Sequence, residues 1–71
     1  MEGLTEGRIV HFVVDGWHRP AVITHVWDKQ RGTVNLHVFP DGSHPLSQHE
    51  YTSVNFDESG LGFTWHWIEK A

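Results

Sequence analysis

AVITHVWDKQRGTVNLHVF, residues 21 to 39, decides the fold. Two runs rich in Val, Ile, Thr and aromatics flank DKQRG, and neither carries the apolar period of a helix. The stretch reads as a β-hairpin. Gly32 stands where a three-residue loop needs a left-handed residue, which puts the loop at Gln30-Arg31-Gly32 and pairs Lys29 with Thr33. Side chains alternate along strands, so this register sorts them into two faces. One face takes Val22, Thr24, Val26, Val34, Leu36 and Val38, a suitable core. The other takes Ile23 opposite Phe39, His25 opposite His37, and Trp27 opposite Asn35. A sheet face turned to water should be polar, yet this one is rich in apolar and aromatic groups. Two readings stay open: the rest of the fold covers it, or it is a patch for a ligand or a second subunit.

Working outward, RIVHFVV (8 to 14) reads as a strand and DGWHRP (15 to 20) as the turn that leads into residues 21 to 27. After the strand at 33 to 39 comes a loop, PDGSHPLSQHE (40 to 50), with room for one helical turn near 43 to 49. YTSVNF (51 to 56) is the fourth strand. DESGLG (57 to 62) turns into FTWHWI (63 to 68), the fifth. Five short strands in one 71-residue domain must curl to enclose a core. The expectation is all-β: a single five-stranded antiparallel SH3-like barrel spanning residues 1 to 71.

A chain this short folds with a narrow margin and usually needs a staple. It has no cysteine, which removes disulfides and thiolate metal sites. Four Trp, four Phe and one Tyr point instead to dense aromatic packing. Burial of an outer patch between identical subunits is a second route, and a homo-oligomer is the expectation. The net charge of −4 with five scattered Lys and Arg argues against general nucleic-acid binding. No stretch has the length of a membrane span, and no charged-then-apolar leader opens the chain, so a soluble cytoplasmic protein is expected.

The search for chemistry is brief. Ser43 beside His44, and Ser47 near His49, lack the partners of a nucleophilic site. Asp57 and Glu58 read as a solvated turn. DESGLGF is not a phosphate-cradling loop. Seven histidines are many, but no local pair has metal-ligand spacing, so no metal site, cofactor or catalytic residue is assigned. Trp65 and Trp67 share one face of the last strand, with His66 pointing away from them. Either they plug the core, or one walls a groove with Trp17, Trp27 or Tyr51. Such a wall near Arg8, Arg19 or Arg31 suits a nucleotide-like ring or a protein hot spot.

The stretches GRIVHFV (7 to 13), AVITHVWD (21 to 28), VNLHVFPDG (34 to 42), TSV (52 to 54) and GFTWHWIE (62 to 69) together resemble a group of small, mostly uncharacterised phage and prophage proteins. Those carry VNLxVFxDG and end in a GxxWHWPE-like stretch. The resemblance spans nearly the whole chain. Ile68 departs from it, standing where proline is expected, and SHPLSQHE (43 to 50) looks local to this chain. The resemblance implies a phage or prophage origin and a compact β-barrel, and it implies no catalytic residue.

The functional expectation is a non-enzymatic binding protein acting in the cytoplasm of an infected host cell, as a counter-defence or host-takeover factor. Its partner would be a host protein or a small nucleotide-like ligand. The candidate binding residues are Trp17, Arg19, Ile23, His25, Trp27, His37, Phe39 and Trp67. A self-assembling structural module of a phage and a small histidine-based metal-binding protein are the alternatives.

Overall fold

The structure, a computed structural model, describes residues 1–43 and 46–68 of the chain. Five strands follow in chain order: β1 Ile9–Val14, β2 Trp17–Asp28, β3 Thr33–Val38, β4 Glu50–Phe56 and β5 Thr64–His66. They close into one barrel, with β5 returning to pair with β1. No helix occurs among the described residues, and so none long and apolar enough to cross a membrane. The expected helical turn near 43 to 49 falls partly on residues 44 and 45, outside the described residues.

The all-β barrel is as expected, but it is not purely antiparallel. β4 and β5 run parallel, through Asn55↔Thr64 and Phe56↔Trp65. A parallel pair ordinarily needs a long crossover. Here residues 57–63 suffice, because the strands overlap only at the end of one and the start of the other. Two backbone hydrogen bonds fasten this return: Asp57 N–H donates to the Trp65 carbonyl (2.9 Å), and Phe63 N–H to that of Val13 (2.8 Å).

Two hairpins set the rest. Between β1 and β2 the turn is Asp15-Gly16 alone, both at positive φ (50° and 78°), as a two-residue turn matched to strand twist requires. The sequence reading extended this turn to Pro20, which stands just before the next apolar run. In the structure β2 runs straight through Trp17-His18-Arg19-Pro20. The Pro20 carbonyl accepts from Phe39 N–H (2.9 Å), so the donor that proline lacks lies on the β3 side, just past the last residue of β3.

The second hairpin is in a different register from the expected one. Asp28, not Lys29, pairs with Thr33, and β2 carries irregularities between Ile23 and His25 and between Val26 and Asp28. Each one gives β2 an extra residue over β3 and bends it. By the far end Ile23 lies opposite Leu36, and His37 opposite Val22. The core face is therefore Ala21, Ile23, Val34, Leu36 and Val38, joined by Val10, Phe12 and Val14 of β1 and by Leu4, Val54 and Trp65.

Trp65 is completely buried and donates its Nε1–H to the Gly32 carbonyl (2.6 Å) at the tip of the β2–β3 hairpin. Phe56 packs edge-on to it, centroids 4.9 Å apart. Gly32 has φ +81°, and a Cβ there would sit 2.8 Å from the Phe56 Cβ and 3.2 Å from Trp65 Cζ2. Trp67 follows half-buried, its ring 5.1 Å from and perpendicular to that of Trp65. Gly32→Ala combines a left-handed backbone with close approaches to the Phe56 Cβ, the Met1 side chain and the buried Trp65 ring. It should cost about 2 kcal/mol or more and lower the Tm by roughly 10 °C, measured by circular-dichroism melting.

Candidate functional site

The expected binding residues separate into two groups. Ile23 and Arg19 are each only 1% exposed, which corrects Ile23 as an outer-face residue and Arg19 as an accessible residue of the turn before it. Both share the inward parity of Ala21 once the bulges fix the register. Arg19 ends inside the barrel mouth, where its Nη1 meets Asp41 Oδ1 (3.1 Å) from the loop after β3. It is not available to a surface ligand. Trp17, His25, Trp27 and Phe39 are exposed, and His37 and Trp67 are half-buried.

These outer residues do not form the single row expected. His25 lies opposite Asn35 rather than His37. At one end of the hairpin, Trp27 donates Nε1–H to Asn35 Oδ1 (2.7 Å), and the His25 ring meets the indole at 4.3 Å. The same Asn35 oxygen accepts from Ser53 N–H (3.0 Å), where the β3–β4 ladder is irregular and Ser53 takes φ 54°. The Asn35 carboxamide thus bridges a break in the ladder and holds the indole. At the other end, His37 contacts Glu50 (3.2 Å) and the ring of Phe39 (5.1 Å). Trp67 lies elsewhere, with the Arg8 guanidinium 5.8 Å from its ring centroid.

On the wall formed by β5, β1 and β2, the structure gathers three histidines that the sequence reading left scattered. His66 and His11 are cross-strand partners. His18 comes from the stretch of β2 that had been read as turn. One ring nitrogen from each lies within 4.8 Å of the other two. The Trp67 carbonyl can only accept, so His66 donates Nδ1–H to it (2.8 Å). In the neutral ring the lone pair is then on Nε2, which lies 2.9 Å from His18 Nδ1. His66 is 5% exposed, His11 half-buried and His18 exposed. Gly60 of the 57–63 return lies over His18. A cleft of about 290 Å³ lined by Glu58, His66, Trp67 and Ile68 adjoins the group.

Two carboxylates are tuned by local hydrogen bonds. Asp57 is held below the usual carboxylate range, first by the Ser59 hydroxyl (2.6 Å) and then by Ser59 N–H (2.8 Å). Glu6 is lowered mainly by backbone N–H groups, its own and that of Val26 (3.1 Å) at the second bulge. Searches of protein families, curated proteins and solved structures find no match to this chain.

Asp41→Ala leaves the Arg19 guanidinium buried without its partner and should cost about 2–3 kcal/mol. Adding Arg19→Met should recover most of that loss in denaturant melts, because an apolar chain needs no partner there. For Asp57 the folded pKa is depressed. Its contribution to stability is present above the ordinary carboxylate pKa and is lost as pH falls through the folded value. Ser59→Ala should therefore raise the Asp57 pKa, read from the carboxyl carbon shift in an acid titration.

Proposed function

We propose that this chain is a non-enzymatic binding protein of phage type. It acts in the infected cell as a counter-defence or host-takeover factor that engages a host protein or sequesters a nucleotide-type signal. One observation carries the reading: Trp27 is 61% exposed, yet its indole is fixed by the Asn35 side chain and the His25 ring. A large ring already held in one orientation loses little freedom on docking. Covering its exposed part, roughly 100–150 Å², is worth about 3 kcal/mol. Phe39 and Trp17 add further exposed aromatic surface. The resemblance of VNLHVFPDG and GFTWHWIE to phage proteins supports the origin. The closure of five strands with β5 on β1 supports an SH3-like barrel type.

The test uses thermal shift against a nucleotide panel and capture from host lysate, each with the wild type and with Trp27→Ala. The variant should keep the wild-type fold and bind about 30-fold more weakly, the effect of losing a hot-spot tryptophan worth about 2 kcal/mol. Silence in both assays, or binding that survives Trp27→Ala, overturns the reading. Light scattering that finds an oligomer split by Trp27→Ala assigns the face to a subunit contact, the self-assembly alternative.

A further inference from the structure

We propose that His11, His18 and His66 form a binding site for a transition-metal dication, zinc being the best fit, with a solvent-facing fourth position. The site is independent of the recognition face on the β2–β3 hairpin.

Three features of the cluster carry the inference. The first is convergence. Three imidazoles come from three adjacent strands and present one nitrogen each within 4.8 Å, the only such group of histidine and carboxylate side chains among the described residues. Zinc bonds imidazole nitrogen at about 2.0–2.1 Å, so tetrahedral ligand atoms stand roughly 3.3 Å apart. His66 Nε2 and His18 Nδ1, at 2.9 Å, are already near that spacing. The remaining nitrogens lie within 4.8 Å, so ring rotation of His18 and His11 has at most the difference from 4.8 Å to that spacing to close.

The second is orientation. His66 donates Nδ1–H to the backbone carbonyl of Trp67, which fixes its tautomer and aims the Nε2 lone pair at its neighbours. A histidine that ligates metal is typically oriented in this way by a carbonyl or carboxylate on its other nitrogen. The ring is also immobilised by burial and by its place in β5. His18 must move its proton from Nδ1 to Nε2 to ligate, a tautomer change that alters no charge.

The third is donor chemistry. Three neutral imidazoles suit zinc, cobalt, nickel or copper and not magnesium or calcium, which prefer oxygen. Three protein ligands leave one coordination position, and exposed His18 puts that position at the surface. Water or a small anion would complete the set. The adjoining cleft at Glu58, Trp67 and Ile68 has room for such a group.

The experiment uses the full chain freed of any tag histidines. Zinc is titrated calorimetrically and its effect on Tm is recorded. One zinc per chain should bind with a micromolar or lower Kd and raise the Tm, since a ligand that binds only the folded state stabilises it. His18→Ala is the main variant because His18 is exposed and its loss spares the fold. It should weaken zinc at least tenfold, since loss of an outer-shell partner alone costs that much. His25→Ala, outside the cluster, should leave binding unchanged. Cobalt should give the visible absorption of a tetrahedral complex with the wild type and lose it with His18→Ala. No zinc bound by the wild type, His18→Ala binding as tightly as the wild type, or His25→Ala weakening zinc as much as His18→Ala each overturn the site.

Discussion

The interior of this barrel is organised by one hydrogen bond and the ring behind it. Trp65 reaches across from the shortest strand, fills the centre, and hands its N–H to the carbonyl of Gly32. An indole buried completely must find such a partner or lose the free energy of an unmade hydrogen bond. Only a residue without a Cβ lets the hairpin tip come close enough to accept it. Strand alternation then does the rest. With Trp65 inward, His66 must face outward, beside His11 and within reach of His18. Of the paired tryptophans, Trp65 is therefore a core residue and Trp67 is half-buried against it, while the histidine between them faces the outer wall.

Much of this was legible in the sequence. Five strands, their approximate spans, the barrel and the special role of Gly32 all follow from alternation and turn chemistry. What failed was register. Nothing in ITHVWD marks the two places where β2 gains a residue over β3. A bulge arises from the bend needed to pair one strand on both sides of a closed barrel, a demand set by tertiary structure. An error at the loop therefore grew along the hairpin and put Ile23 on the wrong side. The parallel meeting of β4 and β5 was hidden for a similar reason, since it depends on how far two strand ends overlap.

The candidate sites show the same division. Arg19 was read as a turn cation beside an aromatic wall. Its partner Asp41 lies across the β2–β3 hairpin, and only the folded mouth of the barrel brings them together. Asn35 was read as the cross-strand partner of Trp27; it pairs with His25 instead, and only its carboxamide reaches the indole. Its second task, bridging to Ser53, arises from an irregularity that no local pattern announces. The histidines were each visible, but positions 11, 18 and 66 share no spacing. The first two had been split between a strand and a turn. Pro20 caused that split, and once β2 is seen to run through it, His18 gains a fixed place beside β1.

The position of the histidine cluster in the barrel gives it a mechanical meaning. β5 joins its neighbours by the shortest ladders in the fold, Phe12↔Trp65 and His11↔His66 on one side and Asn55↔Thr64 and Phe56↔Trp65 on the other. Short ladders open most readily, so this seam is where a closed barrel would first come apart. His66 sits on that seam, and the two rings nearest to it belong to β1 and β2. Any link among the three, whether the His66–His18 hydrogen bond or a shared cation, ties β5 to strands held by much longer pairing. Without cysteine, few other links could fasten so short a strand. The inner face of β5 is fixed by an indole, and its outer face by imidazoles. The indole holds the barrel closed across this strand of three residues, and the imidazole contact on the other side adds to it without being required for the fold.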